Sequence, residues 1–235
     1  MTVEEVEVDA LVAEMIGTLA LVFFGGLAVM QSDSGELDLL GVAIANMLVL
    51  IVMVYFGFRF SGAHYNPAIT LSMVATRKLR PQDGVMYIVA QLLGSVLGGL
   101  LIQILATDSM ITESKTGSQL GYPHLTKGYD AFQGMIFELV LTFFLVFVIW
   151  AMVVDDKAPP HMYGFAYGGM VGLAILIGGP ITGAAMNPAR VFGPSLVIGS
   201  FTDQWIYYVG PILGGILAGL FYANFYLNPK PEKNK

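Results

Sequence analysis

Two short stretches hold the residues best suited to act on a small polar molecule: SGAHYNPAIT at 61–70 and TGAAMNPARV at 182–191. Each contains an Asn-Pro-Ala triplet, Asn66-Pro67-Ala68 and Asn187-Pro188-Ala189. An Asn amide carries two N–H donors and an acceptor oxygen. Asn is also a strong helix N-cap, and Pro fits the first helical turn, where its missing N–H would be unbonded anyway. Each triplet therefore reads as an abrupt helix start with a side-chain donor beside it. Arg190 follows the second triplet directly, and two carboxylates, Glu14 and Glu138, lie inside apolar runs. There is no nucleophile–base pair and no phosphate loop, so an enzyme would have no residues to work with. Cys is absent, which excludes a disulfide framework, a thiolate metal site and a thiol nucleophile. His64 has no His, Cys or carboxylate at ligand spacing, and neither a metal nor a cofactor is expected.

The elements that must position these residues are membrane spans. The chain of 235 residues is 56% hydrophobic and 12% charged, against about 25% charged in a soluble domain. A bilayer core needs about 20 apolar residues per helix. Runs of that length occur at 10–30, 39–58, 84–105, 131–153, 162–178 and 205–226, without the period-2 alternation of a barrel. The segments 66–76 and 187–197 are half as long, so the fold class is an all-α membrane protein of six transmembrane helices and two re-entrant half-helices. The acidic start, MTVEEVEVD, lacks the basic region of a cleaved secretory signal. A net charge of −6 gives no sign of a nucleic-acid partner.

Arg59, Arg77, Lys78, Arg80, Lys157, Lys230, Lys233 and Lys235 fall on one side of six spans, and Lys115 and Lys127 on the other. The positive-inside bias makes both termini cytoplasmic. The chain also repeats itself. AEMIGTLALVFFGG (13–26) resembles FELVLTFFLVFVIW (137–150), matching Glu14/Thr18 to Glu138/Thr142, and QLLGSVLGG (91–99) matches GPILGGILAG (210–219). The expected organisation is one domain over 1–235, with repeats at about 10–105 and 131–226 and a connector at 106–130. Three spans per copy is odd, so the second copy is inverted, as in many transporters and channels.

Inverted half-helices enter from opposite faces and meet N-terminus to N-terminus at mid-membrane. Irregular backbone at that depth must be buried in protein or line water. Each helix end is worth about half an elementary charge. Together they repel a cation about 4 Å away by roughly 4 kcal/mol at an effective dielectric of 20, and leave a neutral molecule unopposed.

These motifs resemble the aquaporin (major intrinsic protein) family over essentially the whole chain: SGAHYNPAIT with TGAAMNPARVFGP, the Glu14 and Glu138 helices, and YYVGPILGG. The resemblance implies a homotetramer with one single-file water pore per subunit, Asn66 and Asn187 donating to the central water and so interrupting proton transfer. It also implies a filter that includes an Arg. Counting without gaps from the two triplets, the filter residues are Asn46, Ile175, Ala184 and Arg190. Gly183 and Ala185 carry over as backbone carbonyls along the file. Strict water channels of the family show Phe and His where Asn46 and Ile175 stand. The set here is closer to plant tonoplast and archaeal members, and the filter should be wider. Val191 after the filter Arg, and the pair Tyr207–Tyr208, differ from glycerol facilitators.

The expected function is a passive channel for water, with ammonia, urea or glycerol as secondary permeants, in the cell membrane. A glycerol-type facilitator is the alternative. A proton-coupled transporter would use Glu14 and Glu138 as a relay; the scaffolding alternative has each carboxylate accept from the N–H groups of a re-entrant loop. A structural junction-type member of the family is a further rival. His64 is expected as a pore-side loop group, and His124 and His161 as solvated loop residues. GSVLGG (94–99) and GGILAG (214–219) read as packing faces.

Overall fold

The structure, a computed structural model, describes residues 6–107, 110–111 and 119–227. Lys115, Lys230, Lys233, Lys235, part of the connector and the first acidic residues lie outside them. Among the described residues there is no strand, and six helices are long and apolar enough to cross a membrane. The helices are α1 (Val8–Ser34), α2 (Leu39–Ser61), α3 (Pro67–Ala75), α4 (Pro81–Leu105), α5 (Ala131–Ile149), α6 (Tyr163–Thr182), α7 (Pro188–Ile198) and α8 (Ile206–Tyr222). α5 and α8 continue through π-turns, Trp150–Val154 and Ala223–Leu227, which complete their spans.

Helix ends follow local chemistry. The Asp38 side chain caps α2, and Asp130 with Gln133 forms a capping box on α5. α1 runs past the expected residue 30, to a left-handed Gly35. α6 runs past 178 despite Pro180, which stands in its last turn; Thr182 ends the helix and Gly183 caps it at φ 80°.

The two copies pack alike. α1 lies on α4 and α2, and α5 lies on α8 and α6. Between helices in lipid, close packing and hydrogen bonds supply the association energy, and small residues allow the approach. Gly94 and Gly214 hold equivalent places: a Cβ on the first would strike the Met15 carbonyl, and on the second the Leu139 carbonyl. Met15 and Leu139 each directly follow a buried Glu. The half-helices cross over. α7 packs on α4, and α3 on α8, so each lies against the last full helix of the other copy. Ser95 on α4 accepts from Gly193 N at 2.9 Å and donates to the Ala189 carbonyl, and Trp150 Nε1 donates to Ser72 on α3 at 2.9 Å.

Candidate functional site

Asn66 and Asn187 are the N-caps of α3 and α7, with Pro67 and Pro188 in the first turns. Asn66 Oδ1 accepts from Ala68 N at 2.9 Å, and Asn187 Oδ1 accepts from Ala189 N at 2.9 Å and Arg190 N at 3.3 Å. Their amides then donate across the molecule. Asn66 Nδ2 donates to the Met186 carbonyl at 2.8 Å, and Asn187 Nδ2 to the Tyr65 carbonyl at 2.8 Å. An amide has two N–H groups, so the second hydrogen of each is left for whatever occupies the cavity that both residues line. That cavity measures about 10 Å³, room for about one water. Most of its remaining wall is apolar, including Leu21, Leu50, Leu145 and Val171.

The loops that aim these amides are the same loop built twice. Gly62, Ala63 and Tyr65, and Gly183, Ala184 and Met186, all have positive φ. They stand four, three and one residues before their respective Asn. Left-handed φ at a non-Gly residue costs about 1–2 kcal/mol. The buried carboxylates hold this backbone in place. Glu14 accepts from Ser61 Oγ (2.6 Å), His64 N (2.8 Å), Tyr65 N (2.6 Å) and Gln91 Nε2 (2.7 Å). Glu138 accepts from Thr182 Oγ1 (2.7 Å), Ala185 N (2.9 Å) and Met186 N (2.7 Å). Both carboxylates are fully buried.

Arg190 is 6% exposed, and its Nη1 donates to the Gly183 and Ala184 carbonyls, each at 3.2 Å. It borders two cavities. The small one it shares with Asn46, Ala184 and both motif asparagines. The other, about 220 Å³, it shares with Ile175, Asp33, Tyr122 and His124. Of the four expected filter residues, Asn46 and Ala184 thus border the small cavity, Ile175 the larger one, and Arg190 both. Asn46 turns its carboxamide back toward its own helix: Nδ2 donates to the Val42 carbonyl at 2.9 Å, and Oδ1 faces Gly25 of α1. The Gly183 carbonyl is engaged by Arg190, while Ala185 lines the small cavity with its N–H held by Glu138.

His64 is a brace. Its Nδ1 is 3.0 Å from Thr70 Oγ1, and its carbonyl accepts from Tyr167 OH at 2.9 Å. His161 is exposed, as expected, and its carbonyl accepts from Tyr55 OH at 2.7 Å. His124 departs from expectation. It is half-buried in the wall of the larger cavity, because the returning connector folds into that cavity's mouth. Burial pushes its pKa down from the ordinary value, and Asp33 opposes that shift. Sequence reasoning also missed Ser61 and Thr182, although each stands five residues before its Asn. It missed Gln91 too, which bridges Glu14 and Thr70 Oγ1 (2.9 Å).

A fold of six spans, with two half-helices meeting at paired amides beside a small buried cavity, defines a polytopic membrane protein. The model of the major intrinsic protein family matches residues 2–222, and the chain belongs to that family. It is 42% identical to Aquaporin TIP4-4 of Zea mays over 229 residues, which cover 94% of this chain and 87% of that protein. It is 38% identical to Nodulin-26 of Glycine max, covering 94% and 79% respectively. Among solved structures, the aquaglyceroporin from Plasmodium falciparum superposes with a TM-score of 0.81 at 26% identity, covering 93% of this chain and 96% of that one.

Proposed function

We propose that the protein is a passive transmembrane channel for water that also admits small neutral solutes and rejects ions and protons. The observation that carries this reading is the pair of asparagine amides, each fixed by a carbonyl of the opposite copy, beside a cavity with room for about one water. A water held by both amides has its oxygen occupied as acceptor, so it cannot relay a proton along the file. The facing half-helix ends and Arg190 oppose cations. Asn46, Ile175, Ala184 and Arg190 act as the filter, and the Gly183 and Ala185 carbonyls guide the file. The name of the maize relative agrees with water passage, and that of the Plasmodium structure with the solute-facilitator alternative. The small central cavity favours water.

A proton-coupled transporter is disfavoured because both carboxylates are occupied as acceptors from loop donors. The assembly is a homotetramer of single-domain subunits in the cell membrane, with residues 1–235 as one unit. Even-numbered spans bring both ends to one side, and the Arg/Lys bias makes it the cytoplasmic side. The larger cavity, beside Arg190, then faces outward.

Stopped-flow light scattering on proteoliposomes tests the reading. Water efflux well above that of empty liposomes, without proton leak, is expected. Water flow no faster than empty liposomes, or uphill solute uptake driven by a pH gradient, would overturn it. Because the chain lacks Cys, single introduced cysteines at the ends and loops can be labelled from either side to fix the orientation.

A further inference from the structure

The offset that carries Asn66 onto Asn187 also carries Ser61, Gly62 and Ala63 onto Thr182, Gly183 and Ala184. α2 ends at Ser61 and α6 at Thr182, so the same offset runs back along both helices without a gap. It pairs Asn46 with Tyr167 and Val54 with Ile175, and beyond the asparagines it pairs Ile69 with Arg190. Each expected filter residue thus has a counterpart in the other copy: Tyr167, Val54, Ala63 and Ile69, all buried.

Tyr167 alone of these four is aromatic and carries a polar group. It lines the small cavity with Asn66 and Asn187. Ile175, about 12 Å further along α6, borders the larger cavity instead. The Tyr167 hydroxyl donates to the His64 carbonyl at 2.9 Å, much as Arg190 Nη1 donates to the Gly183 and Ala184 carbonyls. Swinging the ring aside would break this bond and orphan a hydroxyl on a side chain that is 5% exposed. The backbone beneath it is held as well: Gly168 lies so close to α2 that a Cβ there would strike the Met47 carbonyl.

We propose that Tyr167 is a specificity-determining wall of the permeation path, a second constriction whose ring, rather than the filter at Arg190, sets the largest solute that passes. The inference rests on the channel reading above. Inversion of the second copy places Tyr167 across the asparagines from Arg190, on the cytoplasmic side. The outer layer has no aromatic residue among Asn46, Ile175, Ala184 and Arg190; the aromatic wall stands instead at the place of Asn46 in the other copy. A cavity with room for about one water lets water pass the tethered ring in single file. Glycerol brings more than one heavy atom abreast of the ring and must displace it.

The test is the ratio of glycerol to water permeability in proteoliposomes, for wild type, Tyr167→Val, Tyr167→Phe and Asn46→Ala. Tyr167→Val should raise the ratio about tenfold or more, equal to about 1.4 kcal/mol of barrier. Tyr167→Phe keeps the ring and should hold the ratio near that of wild type, which a general loosening of the fold would not do. Asn46→Ala trims the outer layer alone and should raise the ratio far less than Tyr167→Val. Should Tyr167→Val fail to fold, Tyr167→Leu keeps more of the apolar packing and should move the ratio the same way. A ratio unmoved by loss of the ring, or moved as far by Asn46→Ala, refutes the role of Tyr167 and leaves the channel standing. Wild type that conducts no water removes the channel reading and this inference together.

Discussion

Gly25 offers a sharp test of how the small cavity is kept open. It faces Asn46 across the α1–α2 contact. A methyl at residue 25 would overlap Asn46 Oδ1 and sit 3.2 Å from its Cγ. The clash is with the far end of a side chain, so the carboxamide turns before the helices part. Turning breaks the 2.9 Å bond from Asn46 Nδ2 to the Val42 carbonyl, worth about 1 kcal/mol, and drives the polar head toward the cavity it already lines. That cavity has about 10 Å³ to spare, close to the least that holds a water. One intruding heavy atom closes it. Gly25→Ala should therefore lower water permeability by about tenfold or more, equal to about 1.4 kcal/mol of barrier. Its thermal midpoint in detergent should change little, because Ala in a helix recovers about 0.5–1 kcal/mol over Gly. Gly25→Ala/Asn46→Ala has nothing to push into the path and should conduct again, a coupling read from the double-mutant cycle. Undiminished water flow in the single variant, or a double variant no faster than the single, would refute the reasoning.

Arg190→Val releases the Gly183 and Ala184 carbonyls and removes the charge between the two cavities; urea and cation leak, read by tracer flux in liposomes, should rise while water flow persists. Glu138→Leu leaves the buried N–H groups of Ala185 and Met186 without their acceptor. At about 1–3 kcal/mol per orphaned group, it should unfold at a clearly lower temperature in detergent than Glu138→Gln, which keeps an acceptor oxygen. On the other side of the molecule, the Lys157 backbone N–H and then the Tyr222 hydroxyl, at 2.8 Å, hold Asp155 below its ordinary 3.8. A depressed carboxylate contributes stability above its unfolded pKa and loses it as pH falls through the folded value. Tyr222→Phe should raise the Asp155 pKa in an NMR titration and lose less thermal stability than wild type between neutral and acid pH, because the gap between its folded and unfolded values is smaller.

The half-helices were legible because Asn-Pro is a local signal: a cap and a first-turn Pro act on their own segment. The scaffolding role of Glu14 and Glu138 was legible because charge inside a span demands a partner, and a symmetric pair demands symmetric ones. What escaped depends on contacts between distant segments. Gly25 sets the direction of the Asn46 amide, yet nothing near Asn46 in sequence points to residue 25. Gln91 has no copy in the second repeat, since the register that equates Gly94 with Gly214 puts Pro211 in its place. Comparing the repeats therefore hid it. Positive φ at Ala63, Tyr65, Ala184 and Met186 carries no composition signal, because the backbone there is imposed by the carboxylates rather than chosen by glycine. His124 sits in a connector without periodicity, and only the fold returns that connector to the path.

The carboxylates, the left-handed loops and the asparagines form one device that joins the two copies. Glu14 fixes Tyr65 through its N–H, and the carbonyl of Tyr65 orients Asn187 in the other half. Glu138 fixes Met186 in the same way, and the Met186 carbonyl orients Asn66. Each carboxylate thus reaches the asparagine that lies outside its own copy, through a single intervening residue. The arrangement holds two donors at the cavity before any solute arrives, so orienting them costs the passing molecule nothing. It also makes the halves interdependent. Glu14→Gln should weaken the hold on Asn187, and its effect on proton exclusion should largely vanish once Asn187 is already Ala. The same cycle run on Glu14 with a residue such as Ser95, which ties α4 to α7, should be additive. Additivity of Glu14 with Asn187 would mean that the two loops act separately and that the crosswise carbonyl bonds orient nothing.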